Sequence, residues 1–166
     1  MKLSHVDASG RARMVDVADK PESTRTATAE GTITLSREAF DLVETNAGPK
    51  GNVLETAELA GVMAAKRTAD LIPLCHPVGL DNVLVEAALD STLPGVRVKS
   101  TARVVGRTGV EMEALTAVSM ALLTVYDMVK AVDRSMEIGG IHLVQKTGGT
   151  RGDWTRTDDG RPAGEP

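Results

Sequence analysis

The near absence of aromatic side chains is the feature that most constrains how this chain can fold. Only 2% of its 166 residues are aromatic, and they are Phe40, Tyr126 and Trp154. The core must therefore be built from Val, Leu, Ile, Met and Ala, each of which buries less apolar surface than an aromatic ring. A core this thin is commonly supplemented by apolar surface buried between subunits, so we expect an oligomer.

The remaining composition is that of one globular domain. Apolar residues make up 42% of the chain and charged residues 25%, close to the averages for such domains. The single cysteine, Cys75, excludes an internal disulfide. No apolar run reaches the ~18 residues of a membrane-spanning helix, and the first residues lack a secretory signal, so we expect a cytoplasmic protein without membrane contact. The formal net charge of -4 argues against nucleic acid as a partner.

Hydrophobic periodicity predicts an α+β fold. Thr-rich alternation predicts a strand over 24–35, and further strand patterns cover 82–89, 96–105 and 136–146, the last interrupted by two glycines. Helices are predicted after the N-cap residues Ser36, Asn52 and Thr108, ending near residues 46, 72 and 134. This order matches the ferredoxin-like split βαββαβ arrangement, an antiparallel sheet with helices on one face. We expect a flexible N-terminus over 1–13, one domain over 14–150 and a flexible Gly- and Pro-rich tail over 151–166.

Small residues crowd one region of the second predicted helix. Ala57, Ala60, Gly61, Ala64 and Ala65 recur there at spacings of three and four. Such a surface permits close approach of a neighbouring helix.

The common catalytic signatures are absent from the sequence. There is no GxxxxGK[ST], GxGxxG after a strand, HExxH, CxxC or GxSxG. The sequence therefore gives no support for a P-loop enzyme, a dehydrogenase, a zinc protease or an esterase, and no metal site is predicted.

Asp127 and Lys130 are the sharpest candidate pair. At positions i and i+3 they share one helix face, and their apolar neighbours suggest that this face is partly buried. A lysine desolvated beside a carboxylate suits acid/base catalysis. The alternative is an ordinary surface ion pair, which spacing alone favours.

Each of the other candidate residues also has a purely structural interpretation. His76, between Cys75 and Pro77 in a rigid loop, could be an acid, a base or a structural histidine, and Cys75 is expected to be buried and inert. Lys50 sits in a Gly- and Pro-containing loop, where a solvated lysine is the commoner case. Glu111 and Glu113 fall in a first helical turn, where carboxylates complement the helix dipole.

Glu113 and Asp127 are separated by fourteen helical positions. That spacing corresponds to roughly 21 Å along a straight helix. If both residues serve one ligand, either the ligand is long or the site borrows residues from a neighbouring subunit.

Two long segments resemble the signature blocks of a known family. They are KGNVLETAELAGVMAAKRTADLIPLCHP and TGVEMEALTAVSMALLTVYDMVKAVD, supported by MVDV at 14–17 and by QKTGG near the end. Over 14–149 the chain resembles the cyclic pyranopterin monophosphate synthase family, also called molybdenum-cofactor biosynthesis protein C. It departs from the family pattern in TGGTRGDW and at Val129, where a cysteine is common.

The resemblance implies a ferredoxin-like fold assembled into hexamers, trimers of dimers with active sites at subunit interfaces. The implied reaction converts (8S)-3′,8-cyclo-7,8-dihydroguanosine 5′-triphosphate to cyclic pyranopterin monophosphate and diphosphate in molybdenum-cofactor biosynthesis. No tightly bound cofactor is implied, and Mg²⁺ is compatible with the triphosphate.

The resemblance also assigns residues. It implies Asp127, Lys130 and Lys50 as the catalytic group. It implies as substrate-binding residues Leu74, Cys75, His76, Met112, Glu113 and Glu111, and as triphosphate partners Arg25, Lys66, Arg67 and Lys146. A ferredoxin-like binding or regulatory module without turnover is the alternative, because fold alone does not decide function. Retention of Lys50, Asp127 and Lys130 favours the enzyme.

Overall fold

A computed structural model describes residues 9–48, 50–150 and 152–157 of the chain. Its elements follow in the order β1 (Ser23–Thr34), α1 (Arg37–Glu44), α2 (Val53–Ala65), α3 (Thr68–Leu71), β2 (Asn82–Asp90), β3 (Gly95–Gly106), α4 (Glu111–Val129), β4 (Glu137–Thr147) and β5 (Trp154–Thr155).

The strands form one antiparallel sheet in the order β2-β3-β1-β4-β5. β3 lies between β1 and β2, and β1 lies between β3 and β4, so each βαβ unit is split by a strand of the other. The predicted α+β, ferredoxin-like arrangement is confirmed, and the two-residue β5 adds a short strand at the β4 edge. The two glycines of β4 fall where its register with β1 shifts, and Gly140 has a φ of 61°.

The core lies between the sheet and the helices α2 and α4. Along β1, Ala27, Ala29 and Ile33 are fully buried on one face while threonines occupy the other, which is the alternation predicted for a half-buried strand. The fully buried side chains are almost all aliphatic, the largest being Ile33 and Leu122. The core is therefore as poor in aromatic rings as the composition requires.

Helices α2 and α4 pack closely in antiparallel orientation. A Cβ added at Gly61 of α2 would lie 3.0 Å from the Ala117 carbonyl oxygen of α4. Lys50, just before α2, lies beside Asp127 near the end of α4. The close helix neighbour expected from the small residues of α2 is confirmed.

Several predicted helix boundaries were wrong. α2 ends at Ala65 instead of near 72, because the backbone tightens where Arg67 N–H bonds the Ala64 carbonyl. Thr68, the first residue of the short α3, donates from its Oγ1 to the Ala65 carbonyl. Thr108 does not cap α4: the N-cap residue is Val110, which makes no side-chain cap bond. α4 also ends at Val129, well before 134, because Asp133 binds the backbone N–H groups of Ser36 and Ser135 in a turn.

The segment expected to be a loose tail is partly ordered. Trp154 and Thr155 pair with Lys146 and Gln145 of β4, and Asp153 Oδ1 accepts a 2.8 Å hydrogen bond from Gly148 N–H. Residues 1–8, 151 and 158–166 of the two predicted flexible ends lie outside the described residues.

By length and composition α4 alone among the described helices could cross a membrane, but half of its apolar window is buried inside the domain. It packs against α2 and four strands of the sheet, as a core helix of the domain does.

Candidate active site

A polar cavity of about 370 Å³ opens at the start of α4. Its walls come from the ends of β1 and β4, from the loop after α3, from the first turn of α4 and from residues 15–20. It gathers eight of the residues that the sequence assigned to substrate binding: Arg25, Leu74, Cys75, His76, Glu111, Met112, Glu113 and Lys146. Segments far apart in sequence thus converge on one cavity.

Arg25 lines this cavity and is only 9% exposed. Its Nε donates a 2.9 Å hydrogen bond to the Gly106 carbonyl at the end of β3. Gly149, at a φ of 86°, presses its backbone against the guanidinium, so that an added Cβ there would overlap Nη1. The fork of the guanidinium is thereby pre-oriented, which suits recognition of a phosphate.

Lys146 and Glu111 form a partly buried ion pair across the cavity wall. Lys146 Nζ lies 3.0 Å from Glu111 Oε1, and about a quarter to a third of each side chain remains exposed. Lys146 lies on β4 and Glu111 in the first turn of α4, so the pair ties the sheet edge to the helix start. An anionic substrate could share the ammonium from the cavity side.

Glu113 is the most deeply buried acid of the site, with 4% exposure. Burial raises the pKa of its carboxyl group, and the neighbouring Glu111 raises it further. A carboxyl group with a raised pKa can carry a proton closer to neutral pH than an exposed glutamate. Glu113 is therefore suited to proton exchange with a bound ring.

The loop after α3 supplies Leu74, Cys75 and His76 to the same cavity, and Met112 supplies a further apolar contact. Cys75 N–H bonds the Ile72 carbonyl at 3.1 Å, which fixes the loop. Burial, followed by the negative charge of Glu113, raises the pKa of the Cys75 thiol. Cys75 is half-buried and not fully buried as expected, and its raised pKa disfavours a nucleophilic thiolate.

Lys50, Asp127 and Lys130 form a second cluster. Asp127 Oδ1 lies 2.8 Å from Lys130 Nζ, and Asp127 Oδ2 lies 3.2 Å from Lys50 Nζ, which also donates to the Asp127 carbonyl at 2.9 Å. Hydrogen bonds from Lys130 and then from Lys50 lower the pKa of Asp127. About half of each side chain is exposed in this single chain.

The two groups lie at opposite ends of α4. The cavity group surrounds the first turn of the helix, and Asp127 lies in its last turn, roughly 21 Å along the axis from Glu113. Lys66 and Arg67 are exposed at the C-terminal end of α2 and do not line this cavity. Because α2 and α4 are antiparallel, that end of α2 lies on the side of the cavity.

Sequence reasoning missed several residues of the cavity wall. Lys20 contributes a cation, Val15 and Val17 add apolar surface, and Gly148 and Gly149 form a tight loop. The MVDV string marked residues 14–17 only as part of the resemblance, and no pattern in the sequence singled out Lys20. Its position depends on a contact with residues some ninety positions later, which periodicity does not reveal.

In the part of the chain that the structure describes, no group of three or more His, Cys, Asp or Glu side chains converges to hold a metal ion.

Comparison with known proteins connects these features to one family. The model of the MoaC family matches residues 14–149. The chain is 56% identical over 157 residues to a protein of Brucella ovis named cyclic pyranopterin monophosphate synthase, covering 95% of both chains. A protein of the same name from Brucella melitensis has the same identity and coverage, and one from Brucella suis is 55% identical over the same length.

Proposed function

The chain belongs to the MoaC family, and from that premise we propose that it catalyses the reaction of a cyclic pyranopterin monophosphate synthase. The substrate is the cyclised guanosine derivative (8S)-3′,8-cyclo-7,8-dihydroguanosine 5′-triphosphate. The products are cyclic pyranopterin monophosphate and diphosphate, in molybdenum-cofactor biosynthesis. One observation carries this proposal beyond the name: the cavity combines fixed cations with a buried acid of raised pKa, as a phosphorylated substrate that must exchange ring protons requires.

The cationic side of the cavity suits the phosphate chemistry. Forming the cyclic phosphate joins a substrate hydroxyl oxygen to the α-phosphorus and breaks the bond from that phosphorus to the diphosphate oxygen. Negative charge then grows on the departing diphosphate, and preorganised cations stabilise such charge most effectively. Arg25 and Lys146 are placed for this task within the cavity, and Lys66 and Arg67 are proposed to contact the triphosphate from its entrance.

The acidic and apolar residues of the cavity suit the chemistry of the substrate's ring system. Opening an imidazole ring and closing a pyrazine ring both move protons at nitrogen and carbon, which positioned acids and bases accelerate. Glu113, His76 and Glu111 bring titratable groups to the cavity, and Leu74, Cys75 and Met112 flank them. We assign these six residues to substrate binding.

Lys50, Asp127 and Lys130 are the proposed catalytic group. Asp127 holds both ammonium groups through its two carboxylate oxygens, so the lysines are fixed relative to each other. The ammonium groups can donate protons and stabilise developing negative charge. The carboxylate keeps this arrangement because its lowered pKa leaves it ionised at neutral pH.

The separation of the two groups supports an active site shared between subunits. A compact substrate cannot bridge roughly 21 Å of helix within one subunit, whereas a neighbouring copy can place its lysine cluster beside the cavity. Leu59, Met63 and Leu123 are each more than half exposed on α2 and α4, which leaves apolar helix surface for such contacts. We propose a hexamer, a trimer of dimers with interfacial active sites, working in the cytoplasm.

Complementation between inactive variants tests this sharing. Glu113→Gln disables the cavity group and Asp127→Asn disables the lysine cluster. If each active site takes one group from each of two subunits, mixed oligomers assembled from the two variants regain part of the wild-type rate. Mixtures that stay as inactive as the separate variants would contradict a shared site.

Mg²⁺ is proposed to enter with the triphosphate and not to occupy a resident protein site. Mg²⁺ commonly binds phosphate oxygens and water with only one or two protein carboxylates, and Glu111 lies at the cavity for that role. Titration of the metal-free protein with Mg²⁺ in the absence of substrate should show no stoichiometric binding. Tight binding without nucleotide would contradict the proposal.

The catalytic assignment is tested by turnover of the cyclised guanosine triphosphate under anaerobic conditions. Asp127→Asn and Lys130→Ala should abolish turnover while the oligomer remains intact by size-exclusion chromatography. Arg37→Ala, which removes an exposed ion pair with Asp41 on α1, is the matched control and should keep wild-type activity. Wild-type rates in either cluster variant would overturn the assignment.

A further inference from the structure

His142 of β4 makes two polar contacts that a neutral imidazole cannot satisfy together. Its Nδ1 lies 2.5 Å from the Gly140 carbonyl oxygen, and its Nε2 lies 3.2 Å from Glu30 Oε1 of β1. A carbonyl oxygen and a carboxylate oxygen both accept hydrogen bonds, so each ring nitrogen has to donate. A neutral imidazole has one N–H group, and an imidazolium has two. The two contacts are therefore complete only when His142 carries its second proton.

These contacts lie where the backbone pairing of β1 with β4 is interrupted. The register of the two strands shifts twice, on either side of a short segment in which Ala29 pairs with Leu143 and Glu30 with His142. Such irregularities disrupt the ladder of backbone hydrogen bonds locally. Side-chain contacts therefore carry more of the pairing in this segment. We call His142, with its two partners Gly140 and Glu30, the clasp.

Charges of alternating sign surround the clasp on the open face of the sheet. Glu30 lies opposite His142 on one side and opposite Lys99 of β3 on the other, and Lys99 lies opposite Glu86 of β2. At the other edge of β4, Arg156 bonds the strand through its backbone N–H. Opposite charges directly across from each other stabilise a sheet. With an imidazolium at His142 the row alternates without a break, whereas a neutral ring leaves Glu30 facing a nitrogen that also accepts.

The strand β4 connects the clasp to the cavity. Lys146 follows His142 by four positions and forms the ion pair with Glu111 at the cavity wall. Gly149, just beyond the strand, packs against the guanidinium of Arg25. Loosening of β4 at the clasp therefore disturbs the cationic wall of the cavity, although the clasp itself does not line it.

We propose that His142 is a positioning residue that holds β4, and through it Lys146, while its imidazole carries two protons. This inference deepens the proposed function and rests on it, because that function supplies the anionic substrate. An imidazole commonly loses its second proton near neutral pH. The clasp is thus closed on the acid side, and it opens as the pH rises and the ring becomes neutral.

Amide hydrogen exchange of the full-length protein, followed by mass spectrometry, tests the clasp without turnover. After correction for the intrinsic pH dependence of exchange, residues 138–144 should open about twofold to fivefold more readily at about pH 8.5 than at about pH 6, the range for one cross-strand pair of opposite charge. Strand β2, at the far side of the sheet, is the internal reference and should not change. Equal protection of β4 at the two pH values, or an equal change in β2, would overturn the proposal.

Two substitutions remove the need for the second proton. His142→Arg supplies a cation with several N–H donors at every pH, and Glu30→Gln supplies an amide that can donate to a neutral Nε2. Exchange of β4 should become independent of pH in both variants, and in His142→Ala it should be fast at both pH values. Glu137→Gln, which changes an exposed carboxylate on the same strand, is the matched control and should respond as wild type does. A wild-type response in His142→Arg would trace the effect to another group and overturn the proposal.

Turnover distinguishes the failure of this inference from the failure of the proposed function. His76 is an imidazole of the cavity in every variant, so the readout is the difference between wild type and His142→Arg. With the cyclised guanosine triphosphate, the wild-type KM should rise more steeply than that of His142→Arg between about pH 6 and about pH 8.5. Parallel KM profiles in two active proteins would overturn the link to Lys146 and leave the synthase assignment intact. A clasp that responds to pH in a wild-type protein without turnover would instead remove the proposed function.

Discussion

Replacing Gly61 with valine should separate α2 from α4 and weaken both the fold and the lysine cluster. A Cβ at Gly61 would lie 3.0 Å from the Ala117 carbonyl oxygen and 3.0 and 3.2 Å from the two terminal methyl carbons of Val85. These distances are shorter than favourable van der Waals contacts, so the neighbours must give by a few tenths of an ångström even for alanine. Valine adds two further methyl groups in the same space.

The expected magnitude follows from two opposing terms. Overpacking a filled site costs about 1–3 kcal/mol, and removal of a helical glycine returns at most about 1 kcal/mol. For Gly61→Ala these terms leave a loss of about 0–2 kcal/mol. For Gly61→Val the overlap is larger and the helix-propensity gain smaller, so we expect a loss of at least about 2 kcal/mol.

Urea unfolding at one fixed protein concentration measures this loss, because the stability of an oligomer depends on concentration. Gly139→Ala is the matched control, since a Cβ at Gly139 meets no atom of the described residues within 4 Å. Lys50 precedes α2 and Asp127 lies on α4, so displacement of the helices should also lower turnover. A Gly61→Val variant as stable as wild type would refute the close packing of these helices.

Three further predictions concern single side chains. Asp127→Asn replaces one carboxylate oxygen with an NH2 group that cannot accept a hydrogen bond from an ammonium group, so turnover should fall by about 10⁴, below detection, while the urea midpoint stays unchanged; a normal rate would refute its role. Glu113→Gln should be more stable than wild type at pH 8, because burial raises the pKa of Glu113 and ionisation therefore costs the folded state; the difference should vanish below about pH 4, where both states are protonated, and unfolding at the two pH values checks this sign. Ser100→Ala removes a fully buried hydroxyl that has no hydrogen-bond partner among the described residues, so it should stabilise the protein by roughly 1 kcal/mol in the same assay, and a clear loss would contradict this.

The strands and their order could be predicted because one face of the sheet is buried. Alternation in β1 places Ala27, Ala29 and Ile33 on the core face, and a shift of one residue would bury threonines instead. Helix starts with a capping side chain were also readable: Ser36 accepts from Ala39 N–H, and Asn52 accepts from Glu55 N–H.

Helix ends were less predictable because tertiary bonds decide them. The apolar pattern continues past Val129, but Asp133 stops the helix by binding the backbone of Ser36, a residue almost one hundred positions earlier. Thr108 has the chemistry of an N-cap residue, yet it lines the cavity and Val110 takes the cap position. Local sequence preference cannot weigh such distant partners.

Part of the candidate site's arrangement could be predicted from the sequence. Residue identities in LCHP and VEMEA came with the resemblance, and the structure brings them together in one cavity. The division between that cavity and the Lys50, Asp127 and Lys130 cluster followed from helix geometry alone. Lys20 was missed because its segment is positioned by the hydrogen bond from Arg107 Nη1 to the Ala18 carbonyl, which no periodic pattern encodes.

The central claim is most directly tested by anaerobic incubation of the purified protein with the cyclised guanosine triphosphate. Product is followed as the fluorescent pterin formed on oxidation, and diphosphate by a coupled assay. The proposed synthase predicts that both appear together, in equal amounts, and that neither appears with Asp127→Asn. Tight binding of the substrate with no pterin and no diphosphate would contradict it and identify the chain as a binding module.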